Sequence, residues 1–447
     1  MKKTYLAVLA MVALAATPNE ADAKEWSLQD CIDYAITNNI SLQKNTIQKL
    51  SALEDVKESK SMLLPSLGFS TSQNVTYRPW PETGRATVAN GYVQSSVDKT
   101  YYNGMYGVNA NWTVWNGNRN RNTVKMNKLI AQKAELDSAT TANSIVEQIA
   151  QLYVQILYST EAIKVNKESF ETSKKNEERG KEMVAVGKMS KADLAQLTSQ
   201  RAQDEYNVVQ SESSMKEYKR QLKQLLQITS EDEFDVAMPS ATDDMALQAI
   251  PALGGVYARA LSSRPEIAGA KIGVESSDLN IKIAKGMRLP TLGFTASAAT
   301  NTTSKSDNKW RRQLKNNFDV GAGVSLTIPI FDNRSAKTAI NKAKLQRQNY
   351  MLDLKDKQTA LHAAIENYWL QANNNQNQFK AAKVSAESAQ TSYDLLSEQF
   401  RLGLKNIVEL MTGKDKLLAA KQSELQSKYL AILNINMLKF YEDGKMK

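Results

Sequence analysis

One stretch of nine residues occurs twice in this chain, with only conservative changes. It reads LPSLGFSTS from Leu64 to Ser72 and LPTLGFTAS from Leu289 to Ser297, 225 residues later. The similarity extends upstream to AITNNISLQ and ALSSRPEIA at the same spacing, and downstream to VGKMSKADL and LGLKNIVEL, which are 216 residues apart. An internal repeat of this length constrains the fold strongly, because both halves must then build the same ordered elements.

Two long tracts of the chain contain no proline. None falls between Pro81 and Pro239 or after Pro329, and a proline inside a helix costs about 3 kcal/mol. The tracts therefore predict helices, and residues 118–186 and 334–402 would each span roughly 100 Å. Their apolar residues recur in alternating steps of three and four, which predicts coiled-coil packing. Polar residues interrupt this spacing at Arg201, Asp204 and Ser211.

Each half also contains a pair of segments in which apolar and small polar residues alternate, as they do in strands. A run of about ten such residues fits one tilted crossing of a membrane by a β-barrel strand. A soluble sandwich would alternate in the same way and is the alternative. The positions predicted to face lipid are Val108, Trp112 and Val114 in the first half and Val320, Val324, Leu326 and Ile328 in the second.

Four strands per chain cannot close a barrel, and open sheet edges are not viable in lipid. The chains must therefore pool their strands. Two chains would give eight strands, whose interior is filled by side chains, whereas three would give twelve. A conduit favours twelve.

The first residues of the chain have the features of a secretory signal. Lys2 and Lys3 precede an apolar run, and Ala21-Asp22-Ala23 fits a signal-peptidase site, which predicts a signal peptide over residues 1–23. Cys31 is the sole cysteine, and we interpret it as a small buried apolar residue rather than a lipid anchor. The net charge is +10. Because Lys and Arg are scattered, they indicate solvated helix faces and no nucleic-acid partner.

Taken together, these features resemble the TolC-like outer-membrane efflux family (the outer membrane factors). The resemblance covers nearly all of the chain after residue 23. It rests on the duplication, the paired LPSLGFSTS and LPTLGFTAS strand starts, the Asn-Arg pairs after two strands, and the glycine turns at Gly187 and Gly403. It implies a mixed α and β membrane protein, namely a homotrimer with a 12-stranded outer-membrane barrel continued by a coiled-coil α-helical tunnel in the periplasm.

The domain organisation follows from the repeat and the resemblance. We predict a first repeat over residues 24–227, a linker or equatorial region over 228–258, and a second repeat over 259–447. Each repeat is predicted to hold one β-hairpin, at about 64–116 and 289–331, and one long helical hairpin, at about 118–227 and 333–441.

The resemblance also implies partners at the two helical turns. A periplasmic adaptor (membrane fusion) protein would dock there, together with an inner-membrane pump of the RND or ABC type. The residues assigned to this docking are Gly187, Gly403, Val186, Leu402, Leu194 and Leu410.

A periplasmic gate is implied at the same turns. Glu409 matches the first acidic position of the family's constriction ring, whereas Thr412 stands at the second, which is acidic in the best-known members. Lys405 matches a basic residue that helps to lock the turn, and Asp193 is the corresponding acidic residue of the first half. We hypothesise that Lys405 pairs with Asp193 or a neighbour in the closed state. The alternative is that all of these are ordinary surface charges.

The resemblance thus implies a passive exit duct of a tripartite efflux system in the outer membrane. The exit duct of a type I protein secretion system would share every feature and is the first alternative. A structural coiled-coil protein of the periplasm is the second. The single histidine, His362, excludes His-based catalysis, and we expect no enzymatic activity, cofactor or metal.

Overall fold

The structure is a computed structural model that describes residues 25–80, 87–89, 92–94, 99–230, 234–239 and 241–446. The predicted signal peptide lies outside these residues. The helices of the described part are α1 (Leu28–Asn38), α2 (Ile40–Ser61), α3 (Arg119–Ala185), α4 (Lys191–Leu226), α5 (Asp243–Ala246), α6 (Leu253–Ser263), α7 (Pro265–Gly286), α8 (Trp310–Asn316), α9 (Ser335–Arg401) and α10 (Ile407–Asp443). Its strands are β1 (Glu25–Trp26), β2 (Ser66–Tyr77), β3 (Thr87–Ala89), β4 (Tyr92–Gln94), β5 (Thr100–Trp115), β6 (Asp235–Val236), β7 (Thr291–Thr303) and β8 (Asp319–Thr327).

The helices form pairs of matching length, one member from each half of the chain. The longest, α3 and α9, have 67 residues each, which confirms helices in both proline-free tracts. α2 and α7 have 22 residues each, and α1 and α6 have 11 each. This matching is what an internal repeat would produce. No helix among the described residues has a stretch long and apolar enough to cross a bilayer.

The chain divides into two compact units. Of the described residues, those up to 44 and within 138–264 and 359–446 form the helical unit, and those within 45–137 and 265–358 form the sheet unit. Each unit draws on both halves of the chain, because α3 and α9 both pass from the sheet unit into the helical unit.

The sheet unit is built around four antiparallel strands in the order β2-β5-β7-β8. This confirms the prediction of four long strands per chain. Because side chains alternate between faces along a strand, residues that pair across the sheet share a face, and one face is apolar while the other carries small polar groups. Paired rows on the apolar face are Val108–Ala298–Val320 and Trp112–Phe294–Val324, and a row on the polar face is Asn109–Ser297–Gly321.

Two of the predicted lipid-facing residues lie differently from the prediction. β8 ends one residue before Ile328. A β-bulge between Thr113 and Trp115 places Trp115, rather than Val114, opposite Leu292. A bulge inserts an extra residue in one strand and shifts the alternation beyond it, which an alternating sequence does not reveal. The other five predicted positions lie on strands, and their side chains are exposed.

In the helical unit, β6 and α5 are held to other parts of the chain by short-range contacts. The first strand pairs with the sixth in a parallel two-stranded sheet. At the start of α5, Asp243 accepts hydrogen bonds from Lys383 on α9 and forms an ion pair with Lys428 on α10, at 2.7 and 2.8 Å. Cys31 on α1 is buried, as predicted from the sequence.

Candidate functional site: the helical turns and the polar seam behind them

The turns that join α3 to α4 and α9 to α10 have the same backbone. In the first, the amide of Gly187 donates to the carbonyl of Val184 (3.0 Å), and Lys188 donates to Met183 (2.8 Å). The second repeats this pattern at Gly403 and the residue after it. These are Schellman motifs, in which a left-handed residue ends the helix. Gly187 and Gly403 have φ angles of +72° and +74°, which only glycine adopts without strain.

The helices that follow both turns begin with a side-chain cap. Ser190 Oγ accepts a hydrogen bond from the Asp193 amide (3.0 Å) at the start of α4. Asn406 Oδ1 accepts from the Glu409 amide (2.9 Å) at the start of α10. In this second case the Glu409 carboxylate also accepts from the Asn406 amide (3.2 Å), which completes a capping box. Caps satisfy amides that otherwise lack a partner at a helix start.

The acidic residues of the two turns have different partners. Asp193 accepts a hydrogen bond from Ser190 Oγ (2.8 Å). Glu409 accepts from Lys405 Nζ (2.6 Å), four residues earlier. That hydrogen bond, together with the one from the Asn406 amide, holds the pKa of Glu409 below its usual value. Within one chain, therefore, the ion-pair partner of Lys405 is Glu409 and not Asp193.

The predicted docking residues divide by burial. Val186 and Leu402 are exposed at the turns, and Leu194 is half-buried. Leu410 is only 1% exposed. Its assignment to the docking surface was therefore wrong, because this side chain faces the neighbouring helices. It packs in a core cluster with Leu197, Tyr393, Phe400, Ile407 and Leu417.

Two exposed apolar residues at the second turn were missed by sequence reasoning. Leu404 is 71% exposed and Val408 is 56% exposed. Val408 lines an open groove of about 340 Å³ together with Glu409 and Thr412. The Thr412 hydroxyl donates to the Val408 carbonyl (2.8 Å). The two predicted gate positions of α10 therefore share one groove with an exposed apolar side chain.

A buried ion pair lies behind the turns, and the sequence did not reveal it. Lys414 Nζ on α10 contacts Asp204 on α4 and also donates to Ser173 Oγ on α3. The Ser173 hydroxyl donates to the same carboxylate. The side chains of Lys414 and Asp204 are only 6% and 1% exposed. Three helices from both halves of the chain are therefore joined by one buried ionic group.

Two further interhelical contacts explain the other polar interruptions of the coiled-coil spacing. Arg201 Nε pairs with Glu177 on α3 at 3.0 Å. Ser211 Oγ accepts from Asn166 Nδ2 (2.6 Å), and the oxygen of the Asn166 side chain accepts from Gln422 on α10 (3.0 Å). Polar residues at seam positions specify the register of helices at some cost in stability. The interruptions were visible in the sequence, but their partners were not.

Comparisons with known proteins agree with this architecture. The family model for outer membrane efflux proteins matches residues 31–226 and 256–440. The outer membrane efflux protein BepC of Brucella suis biovar 1 (strain 1330) is 21% identical over 79% of this chain and 74% of its own length. The outer membrane protein TolC of Escherichia coli (strain K12) is 20% identical over 97% of this chain and 85% of its own length.

The fold also has counterparts among solved structures. The CmeC outer membrane channel of Campylobacter jejuni superimposes with a TM-score of 0.77 over 93% of this chain and 86% of its own, at 18% identity. At that identity the likeness concerns the fold alone. The family model, however, matches both halves of the chain over most of their length. The chain therefore belongs to the outer membrane efflux protein family and is a protein of the outer membrane.

Proposed function

We propose that this protein is the exit duct of a tripartite efflux system, through which small molecules pass passively from a pump and its adaptor to the cell exterior. Three chains would pool their four long strands into a twelve-stranded barrel in the outer membrane, and the long helices would form a tunnel in the periplasm.

The observation that carries this proposal is the four-stranded sheet. Its edge strands, β2 and β8, have no partner beyond them among the described residues. Its apolar face is exposed, with Val320 73% and Leu326 62% accessible to solvent. An exposed apolar face is favourable in lipid, but the unpaired backbone N–H and C=O groups of edge strands are not. Strands from further copies of the chain would form hydrogen bonds with both edge strands.

The polar face of the same sheet would line the duct. It carries small residues without charge, such as Asn109, Ser297 and Ser325, over the central part of the strands. Hydroxyl and amide groups keep water in a channel without selecting ions by charge. Ions would then be selected by charge at the helical turns instead.

At the turns we propose a gate made by Glu409 and Thr412, with Lys405 and Asp193 beside it. In a trimer, three Glu409 carboxylates would attract cations and repel anions. Lys405 would compensate Glu409 within each chain, in keeping with their 2.6 Å contact. The proposed lock between Lys405 and Asp193 would have to form between neighbouring chains.

The same turns would receive the adaptor. The exposed apolar side chains near the glycine turns would form the docking surface. They are Val186, Leu402, Leu404 and Val408. Docking at Leu404 and Val408 would place the adaptor next to Glu409, so that adaptor binding and gate opening would be coupled.

The type I secretion duct remains the first alternative, since it needs the same architecture. Neighbouring genes would separate the two, because an ABC exporter with a protein substrate indicates secretion and a proton-driven pump indicates efflux. A periplasmic coiled-coil scaffold does not account for a sheet with an exposed apolar face.

Electron microscopy of the detergent-purified full chain tests the proposal. We expect particles of three chains in which a rod protrudes from a compact membrane domain, obtained from outer-membrane fractions only with detergent. Monomeric or detergent-independent particles would contradict it.

A further inference from the structure

The short helix α8, between β7 and β8, is fastened to the sheet. The hydrogen bonds that hold it are Thr303 N to Gln313 Oε1 (2.7 Å), Thr300 Oγ1 to the Leu314 carbonyl (2.8 Å) and Asn317 Nδ2 to the Asn301 carbonyl (2.8 Å). Gln313 is only 5% exposed. The segment therefore has a fixed place on the sheet rather than being a free loop.

That place is the apolar face of the sheet. The ring of Trp310 on α8 meets Tyr106 edge-on, with 6.3 Å between centroids. Tyr106 pairs with Thr300 in the sheet and stands two residues from Val108. Because side chains alternate along a strand, Tyr106, Thr300 and Val108 share one face. α8 therefore covers the end of the face that carries the apolar rows.

The side of α8 that is turned away from the sheet is strongly basic. Arg311, Arg312 and Lys315 are exposed, and none forms an ion pair with a described residue. Residues 304–318 contain Asp307 as the single acidic residue. The basic residues of this segment are Lys305, Lys309, Arg311, Arg312 and Lys315.

The position of α8 along the strands follows from the chain order. The helices α2, α3, α7 and α9 are connected to the long strands at one end of the strands, and α8 lies at the opposite end, between β7 and β8. Under the proposed function, on which this step rests, the helices lie in the periplasm. α8 is then at the outer surface of the membrane, on the side of the sheet that faces lipid.

We propose that α8 is a docking surface for the phosphate groups of an anionic glycolipid of the outer leaflet. Arg311 and Arg312 offer planar donor pairs that match phosphate oxygens, and Lys315 adds a third positive charge. Trp310 is 48% exposed, and tryptophan suits the membrane interface. The acyl chains of the same lipid would lie against the apolar rows of the sheet. The phosphate groups would thus contact a basic surface and the acyl chains an apolar one.

The test is glycolipid retention by the detergent-purified full chain, measured by native mass spectrometry. The probe is a bis-phosphorylated glucosamine glycolipid, with its dephosphorylated form as the ligand control. We expect the variant R311Q/R312Q/K315Q to lose roughly ten- to hundredfold in affinity for the phosphorylated form. The matched control is K337Q/K342Q/K344Q, which removes three exposed charges from α9 and should bind like wild type.

Three outcomes would overturn the proposal. They are unchanged binding by the α8 variant, an equal loss in the α9 variant, and equal binding of the dephosphorylated glycolipid. The charge-conserving variant R311K/R312K guards against misfolding, and we expect it to keep part of the affinity. All variants should conduct like wild type in planar bilayers. A wild type without conductance would refute the exit duct, whereas the glycolipid result would stand on its own measurement.

Discussion

The turn at Gly187 and the turn at Gly403 have the same length, the same pair of backbone hydrogen bonds and the same left-handed glycine. Their side chains differ. The acidic residue of the first turn is held by a serine, and that of the second by a lysine and a capping box. Two turns can therefore have the same backbone and different charges, because a Schellman turn needs only the left-handed glycine, whereas the side chains around it are free to differ.

The two halves of the chain also differ at equivalent positions on α4 and α10, the helices that follow the turns. Lys414 stands 216 residues after Thr198. The Thr198 hydroxyl donates to Glu177 (3.0 Å) and to the Leu194 carbonyl (3.1 Å), whereas Lys414 joins the buried carboxylate of Asp204. The second half thus supplies the cation on which the first half depends.

The largest expected effect comes from breaking this buried pair. Lys414→Met leaves Asp204 buried without its cation, and we expect a loss of about 3–5 kcal/mol in the free energy of unfolding. Thermal unfolding followed by circular dichroism measures it. The double variant Lys414→Met/Asp204→Leu should recover most of the loss, and Lys421→Met, in the more exposed pair with Glu168, should change little. No recovery in the double variant would contradict a purely electrostatic reading of the pair.

Replacing the glycine of either turn by alanine should lower the free energy of unfolding by the same amount. Apart from the adjoining residues of the chain, no atom lies within 4 Å of the position that a Cβ would take at Gly187 or Gly403, so Gly→Ala adds left-handed backbone strain of about 1–2 kcal/mol. Thermal midpoints of the two single variants should agree. A clear difference would show that the turns are not equivalent in backbone after all.

Removing the helix cap of one turn should cost slightly more stability than removing that of the other. Asn406→Ala removes the capping box and Ser190→Ala removes a single cap, each within the range of about 0.5–2 kcal/mol. We expect the larger loss for Asn406→Ala, and denaturant unfolding of the two variants in parallel would measure it. The opposite order would mean that the reciprocal bond of Glu409 adds nothing.

The smallest energetic effect concerns Lys405. Solvent screens this exposed pair with Glu409, so we expect little change in the free energy of unfolding, but the pair lowers the pKa of Glu409. A lowered pKa keeps the carboxylate charged to more acidic pH, so this stabilisation is present above the usual glutamate pKa and is lost as pH falls through the lowered one. In Lys405→Gln, cation selectivity in bilayers should disappear at higher pH than in wild type. Lys188→Gln, at the other turn, is the control, and identical pH profiles for all three proteins would contradict the pairing.

Much of the fold could be predicted from the sequence because its signals are long. Sixty-seven residues without proline and with a regular apolar spacing leave few options besides helix, and the repeated nine residues mark two strand starts. The helix α8 was missed because seven residues, WRRQLKN, are too short for a periodic pattern.

The site was harder to predict. Lys414 and Asp204 are 210 residues apart in sequence, and coiled-coil spacing shows that a polar residue lies in the seam but not which helix supplies its partner. Leu410 was assigned to the docking surface because it follows the second turn closely in sequence, whereas packing between helices buries it.

Single-channel recording of the purified full chain in planar bilayers tests most directly whether the protein is a duct whose helical turns control passage. We expect discrete conductance steps with cation preference in wild type, and a larger closed-state conductance in Lys405→Ala/Asp193→Ala, with Lys188→Ala unchanged. Absence of steps in wild type would contradict the duct, and equal conductance in all three proteins would contradict control at the turns.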